Sequence, residues 1–273
     1  MKKFISQLLI VLVAILCSTS LAAVRDDDTG AGQTSLYNIP PRWLVDMPTA
    51  GTLPRGSFSL CARLYPDGGT LGYTDIGLSN RFMMGISFGG ENVISNSAPN
   101  WNPSIEFGVK FRVIDELEFF PAISIGFSSQ GSGAYEKEKE RYTFKSRGFY
   151  AVASRSVYFY QWIAGWHAGI NYSREYKHGG DKGVNFFGGL DATFKYNLAI
   201  LLEWDAALDD NKDFILSDGT NFGGRGRGYL NMSVKWLFEE NLELEVLLKD
   251  LLQNRRESQS ITREIRLTYI DCF

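Results

Sequence analysis

From Gly56 onward the chain is dominated by runs in which polar and apolar residues alternate one by one. In PSIEFGVKFRV, Ile105, Phe107, Val109, Phe111 and Val113 fall on one face, and Glu106, Gly108, Lys110 and Arg112 on the other. Successive side chains of a strand point to opposite sides, so this pattern predicts a strand with one apolar and one polar face. NLAILLEWDAAL sets Leu198, Ile200, Leu202, Trp204 and Ala206 against Glu203 and Asp205. NLELEVLLK sets Leu242, Leu244, Val246 and Leu248 against Glu243, Glu245 and Lys249. The runs predict about twelve strands, near 56–65, 70–79, 81–89, 104–113, 117–128, 147–155, 160–173, 183–196, 198–208, 226–238, 241–252 and 260–273. No run after the first 22 residues carries the period of a long amphipathic helix.

The links between these strands alternate in length. Short links follow the second, fourth, sixth, eighth and tenth strands. Long, Gly-, Asn- and charge-rich links follow the third, fifth, seventh, ninth and eleventh; SQGSGAYEKEKERYTFKS and DDNKDFILSDGTNFGGRGR are two of them. A soluble sandwich has no reason to gather its long loops at one end. An outer-membrane barrel does, and it also has an even strand count with both termini on the short-turn side. The apolar faces are nearly free of charge, and strands of 9–11 residues span a bilayer when tilted. Aromatic residues at strand ends, Phe119, Tyr160, Trp162, Tyr196, Trp204, Tyr229, Trp236 and Phe238, fit interfacial girdles.

The first residues agree. Lys2 and Lys3 precede the apolar run Leu8 to Leu16, and Ser20 and Ala22 flank Leu21. This is the pattern of a secretory signal peptide over 1–22, cleaved after Ala22. Removing it takes away two lysines and leaves 26 basic against 31 acidic residues, a net charge of −5. That balance argues against a nucleic-acid partner. Residues 23–55 mix Pro, Gly and Asp without a sustained period and are expected to form an irregular arm, packed against or inside a barrel over 56–273. Cys61 and Cys272 remain after cleavage; one pair in so long a chain is no disulfide framework, and two unpaired thiols are the simpler expectation.

The last strand sets Ile265, Leu267, Tyr269 and Phe273 against Glu264, Arg266 and Thr268 and ends on Phe273. It resembles the C-terminal signal that the barrel-insertion machinery reads, except that Asp271 fills a slot usually apolar. The arm and first strand, NIPPRWLVDMPTAGTLPRGSFSL, resemble the opening of the exopolysaccharide-associated, YjbH-like outer-membrane barrels, through Met47, Pro48, Ala50 and Gly56. FFPAISIGFSSQGSGAY, GFYAVASRSV and AGWHAGINYS are similar to strands of that family. The resemblance implies an outer-membrane compartment and a role alongside polysaccharide-export components. Fuller members of that family are much longer than this chain.

Chemistry is sparse. His167 falls mid-strand on the polar face, and His178 falls in the loop YKHGGDK. A barrel lipid hydrolase needs Ser and His on neighbouring strands facing lipid. Asp209, Asn211 and Asp213 alternate as at the start of a calcium loop, yet Phe214 replaces the required Gly and Thr220 the closing Glu. GGRGRG (223–228) lacks the Lys-Ser/Thr ending of a phosphate loop; Arg225 and Arg227 are expected in an external loop near lipopolysaccharide phosphates. No catalytic residue, metal ligand or cofactor is assigned.

The polar face is expected to carry lumen charges of both signs: Glu106, Lys110, Arg112, Glu118, Asp191, Lys195, Glu203, Asp205, Lys235, Glu243, Glu245, Lys249, Glu264 and Arg266. Mixed signs on adjacent strands favour cross-strand pairing, or at most a narrow pore, over a wide channel. The sequence thus predicts a closed antiparallel transmembrane β-barrel of about twelve strands in the outer membrane. Its partners would be lipid, lipopolysaccharide and the insertion machinery, and its role structural or transport-related. A secreted β-sandwich that binds a partner is the alternative.

Overall fold

The pairing of the first strand with the last decides the architecture. β1 (Ser57–Tyr65) is hydrogen-bonded on one side to β2 (Gly69–Ser79) and on the other to the strand Thr262–Cys272. The register runs from Ser57 opposite Cys272 to Leu64 opposite Ile265. The chain's ends therefore close a ring, and neither strand keeps a free edge. The computed structural model describes residues 40–273 apart from 177–180, 196, 214, 218, 222, 239–240 and 258–259. The signal peptide, the first part of the arm, His178 and Tyr196 lie outside the described residues.

The ring continues through β3 (Phe82–Glu91), β5 (Glu106–Ile114), β6 (Ala122–Ser128), β9 (Gly148–Phe159), β10 (Trp162–Tyr172), β11 (Asn185–Phe194), β12 (Leu198–Asp205), β13 (Tyr229–Phe238), β14 (Leu242–Lys249) and β15 (Thr262–Cys272). Every neighbouring pair is antiparallel, which gives a closed barrel of 12 strands. The two-residue β4 (Asn100–Trp101) extends the sheet beyond β3, and β7 (Ser132–Glu136) pairs with β8 (Arg141–Phe144) as a separate hairpin in the β6–β9 loop. Among the described residues there is no α-helix.

Inside and outside are sharply divided. Met84, Ile86, Ile125, Ile200, Val246, Ile265 and Leu267 are exposed on the outer face. Aromatic side chains ring both ends: Phe88, Trp101, Phe149, Phe186 and Trp204 toward the long loops, Phe119, Phe120, Tyr160, Trp162, Trp236 and Phe238 toward the short turns. A closed sheet with an apolar belt between aromatic girdles is the form a β-chain takes in a bilayer, where every backbone group must be paired. The inner face is polar, with Ser59, Arg63, Lys110, Ser124, His167, Glu203, Glu245, Lys249 and Glu264 all buried.

Five expected boundaries move by three residues or more, 117 to Ala122, 155 to Phe159, 208 to Asp205, 226 to Tyr229 and 252 to Lys249, and the first and third have a visible cause. The strand expected from 117 begins at Ala122, because 117–120 is a tight turn with reciprocal hydrogen bonds between Leu117 and Phe120. The strand expected to reach 208 stops at Asp205, whose carboxylate accepts the Ala207 N–H and whose neighbour Ala207 takes a positive φ of 50°. The last strand stops at Cys272, one residue short of the end; the Phe273 N–H donates to Gly56 O at 2.7 Å, and its ring lies 5.1 Å from Phe58. Asp271, the polar intruder in the apolar phase, accepts the Tyr269 hydroxyl and the Cys272 N–H.

Candidate functional site

The lumen is filled from two directions. From the short-turn end the arm, residues 40–56, turns back into the barrel before β1 starts at Ser57. It folds on itself through a bridge between Trp43 and Pro48, with the Leu44 N–H on Met47 O at 2.8 Å and the Thr49 N–H on Arg42 O at 3.1 Å. Leu44, Val45, Met47 and Leu53 have no exposed surface. Met47 packs with Tyr150, Val152 and Phe187; Leu53 packs with Met83 and Ile270. Gly189 makes room for Leu44: a Cβ there would stand 2.4 Å from Leu44 Cδ1.

The wall meets the arm's backbone with charged and hydroxyl groups. Lys110 Nζ donates to Arg42 O at 2.7 Å and to Gly51 O at 3.0 Å. Arg112 Nε and Ser124 Oγ donate to Ala50 O, and Arg266 donates to Val45 O. Glu203 Oε2 accepts the N–H groups of both Asp46 and Met47 at 2.7 Å. Buried backbone groups need such partners, so these wall residues make an irregular segment compatible with a barrel interior.

Ser154, His167 and Asp191 lie in one line on β9, β10 and β11. His167 Nδ1 is 2.7 Å from Ser154 Oγ, and His167 Nε2 is 2.7 Å from Asp191 Oδ1. Gly165 leaves the gap for this pair, since a Cβ there would stand 2.2 Å from Asp191 Oδ1. The composition is that of a nucleophilic triad, but it faces the lumen rather than lipid, and Ser154 Oγ accepts the Ala50 N–H at 2.8 Å. The line therefore ends on the arm and anchors it.

From the long-loop end the hairpin β7–β8 folds inward. Arg141, Tyr142 and Phe144 are buried. Arg141 pairs with Asp210 at 2.6 Å, and Arg147, just after the hairpin, pairs with Asp205 at 2.7 Å. Glu175 accepts the N–H groups of Tyr142 and Ser146 at 2.9 Å, and Lys145 donates to the backbone of Asp181 and Asp209. The Phe144 ring stands edge-on to Tyr229 at 5.1 Å; Tyr229, expected in the outer girdle, instead points inward and is buried, its hydroxyl donating to Asp210. Burial pushes the Asp209 carboxyl up to about 6 despite Lys145 nearby; it also raises Glu175 and lowers Lys145. Arm and hairpin leave a cavity of about 180 Å³ lined by Trp43, Tyr73, Asp75, Thr193, Lys235 and Glu243 among others.

The expected lumen charges are placed as follows. Lys110, Arg112, Glu203 and Arg266 hold the arm. Asp191 holds His167, and Asp205 holds Arg147. Glu245 accepts from Arg266 and Ser233, and Lys235 pairs with Glu243 at 3.4 Å. Glu106 accepts from Ser104 and meets the Tyr142 hydroxyl at 3.4 Å. Lys195 and Glu118 are corrections: β11 ends at Phe194, and Lys195 turns the chain with a positive φ of 48°, exposed, its ammonium over the Phe194 ring, while Glu118 is exposed in the turn that Leu117 and Phe120 close. Ile265, Leu267, Tyr269 and Phe273 lie along the outer face of β15 and just past its end. Both remaining thiols are free. Among the described residues no three His, Cys, Asp or Glu side chains gather as metal ligands. The glycine–arginine loop is tied down by Asn254, whose Oδ1 accepts the Arg225 and Arg227 N–H groups at 3.0 and 2.8 Å.

Sequence reasoning missed the hairpin and Arg63. Arg63 was legible, since it alternates with Leu60, Ala62 and Leu64 on β1. For the hairpin the signal was weak: Tyr142 and Phe144 at alternate positions after a charged run.

No family model matches the sequence, and no curated protein does. Among solved structures the chain is similar to the KdgM porin, with a TM-score of 0.45 and 13% identity over 80% of this chain and 99% of that one. It is also similar to the COG4313 outer membrane channel from Pseudomonas putida F1, with a TM-score of 0.43 and 11% identity over 81% and 97%. The NanC porin gives 0.41 and 8% over 79% and 99%. Likeness at this level does not bear on function.

Proposed function

We propose that this chain is an outer-membrane barrel whose polar lumen is a solute path, held shut at rest by the arm and the hairpin. The observation that carries the reading is the arm itself: it occupies the lumen without being part of the wall, held by side-chain hydrogen bonds to its backbone. Wall side chains alone just fill a barrel of about eight strands; twelve enclose a wider lumen, and an insert that is not part of the wall suits a path that opens. The apolar belt between its aromatic girdles supports the outer membrane as its site, with lipopolysaccharide at the loop end and the insertion machinery as assembly partner. The arm's Met47, Pro48, Ala50 and Gly56 resemble the YjbH-like opening, and a role in polysaccharide secretion follows from that resemblance alone. No reaction is assigned to Ser154, His167 and Asp191.

The test is conductance of the purified protein in planar bilayers. The full chain should show low or rare conductance. Lys110→Glu, which removes the donor to Arg42 O and Gly51 O, should raise it. Equal conductance for both proteins would contradict a gated path. Recovery of the chain in the aqueous fraction, with no mobility change on boiling in SDS, would contradict the barrel. Loss of a lipid-hydrolysing activity on His167→Ala would favour the enzymatic reading instead.

A further inference from the structure

The two inserts meet at one buried place. Asp46 is the arm's only acid within 40–56. Its Oδ1 pairs with Arg63 Nη1 at 2.7 Å, and its Oδ2 lies 2.6 Å from Lys249 Nζ. The same Oδ2 accepts the Ser132 hydroxyl at 3.1 Å, and Ser132 opens the hairpin. Lys249 Nζ donates to Ser132 Oγ at 2.7 Å and sits 3.8 Å above the ring of Phe144, which closes the hairpin. Glu264 completes the group, beside Arg63 Nε and 3.5 Å from Lys249.

Charge makes this junction conditional. With the arm seated, two cations face two carboxylates, Asp46 and Glu264. Without Asp46, Arg63 and Lys249 share one carboxylate in a site with almost no solvent access, and an uncompensated buried charge is costly. Lys249 would then lose the partner that holds it under Phe144 and beside Ser132. Arg63 Nη2 already lacks a hydrogen-bond partner. In a low-dielectric interior each unpaired polar group of such a network is costly, so loss of one member weakens the rest.

We propose that Asp46 couples the two inserts into one gate: withdrawing the arm at the short-turn mouth releases the hairpin at the long-loop mouth, and lifting the hairpin loosens the arm. This rests on the lumen being a gated path. It makes the barrel a device that carries a mechanical signal between its two mouths without moving its wall. Coupling of this kind is reciprocal by thermodynamic necessity.

The experiment uses the full chain in proteoliposomes, with Cys61 and Cys272 replaced by Ser. Reporter thiols are placed at Thr143→Cys in the hairpin or Ala50→Cys in the arm, both buried at rest, and an impermeant maleimide reads their opening. Asp46→Asn should raise labelling at Thr143→Cys roughly tenfold or more, the scale of one charged hydrogen bond. Ser132→Ala, which changes no charge and leaves the barrel's ion pairs intact, should raise labelling at Ala50→Cys. Combining the two should give no more than the larger single effect. The coupling is overturned if Asp46→Asn loosens Ala50→Cys while Thr143→Cys is unchanged, or if the two effects multiply. If Asp46→Asn loses its heat-dependent mobility shift, the Ser132→Ala arm decides alone. Conductance on the same samples separates the two readings: coupled labelling without conductance overturns the path and keeps the coupling, while conductance without hairpin labelling overturns the coupling.

Discussion

The arm and the hairpin fill the same lumen by different means. The arm is held through its backbone: Glu203, Lys110, Arg112, Ser124 and Arg266 reach its N–H and C=O groups, while Met47 and Leu53 sit in apolar pockets. The hairpin is held largely by charge: Arg141 on Asp210, with Arg147 on Asp205 just beyond it and Glu175 on two backbone amides. Backbone capture combined with apolar burial depends little on pH or salt. Charge pairing depends on the protonation of its carboxylates, and on salt only where a pair is exposed. The difference teaches that the two inserts leave under different conditions: the hairpin when its carboxylates change charge, the arm only when its backbone hydrogen bonds and apolar pockets are given up together.

The largest expected effect breaks the hairpin side. Asp210→Ala leaves the Arg141 guanidinium buried and takes the partner of the Tyr229 hydroxyl, which lies 2.8 Å away. Removing one member of a buried pair costs about 3–5 kcal/mol. Trypsin should then cut within 137–141 on intact proteoliposomes, while heat-modifiability of the barrel stays. The next effect breaks the arm side. Glu203→Gln keeps the shape but removes the charge that accepts two amides, a loss of about 1.5–3 kcal/mol per charged hydrogen bond. Arm reporters should label faster while trypsin sensitivity at the hairpin changes less than in Asp210→Ala. Met47→Ala belongs to the same class, about 2–5 kcal/mol for a buried side chain, read by the melting of the arm's protection against maleimide.

A smaller effect sharpens the contrast through pH. The Asp209 carboxyl is raised to about 6 by burial, and Glu175 is raised for the same reason. A carboxyl raised on closing binds more protons closed than open, so closure strengthens as pH falls through about 6 toward the ordinary carboxylate range near 4. Over that window Asp209 contributes at most about 3 kcal/mol. Relative to an exposed reporter thiol, which carries the loss of thiolate common to all maleimide reactions, hairpin labelling should therefore slow between pH 7 and pH 5, and arm labelling should change only as far as the junction at Asp46 transmits it. The smallest effect is at the rim. Arg256→Ala removes an exposed pair with Asp213 and should change hairpin protection by less than about 1 kcal/mol, a difference that disappears at high salt.

How much of this could be read from the chain depended on periodicity. The barrel was legible because each wall strand repeats every two residues, and a repeat of two fixes which side faces lipid. Glu203, Lys110 and Arg266 followed from the same phase. Their partner was harder to see: LVDMPTAGTL has no period, and nothing local says that Asp46 meets Lys249, about two hundred residues away. The hairpin hid in a loop whose charges suggest solvent, yet Arg141 and Lys145 face Asp210 and Asp209 from a different loop. Lys195 was misplaced because alternation alone does not say where a strand stops. Such pairings are properties of closure, which brings every long-range neighbour into place at once.

The central claim is that the arm lies inside the barrel wall. Ala50 N is 2.8 Å from Ser154 Oγ, so cysteines at these two positions lie within reach of a short, reducible bis-methanethiosulfonate bridge in the Cys61→Ser, Cys272→Ser background. The decisive measurement is conductance of that Ala50→Cys, Ser154→Cys protein before and after the bridge is reduced. The account predicts cross-linking by the short reagent, silence in planar bilayers while bridged, and stepwise openings once reduced. Failure to cross-link in a heat-modifiable barrel, or equal conductance in both states, would contradict it.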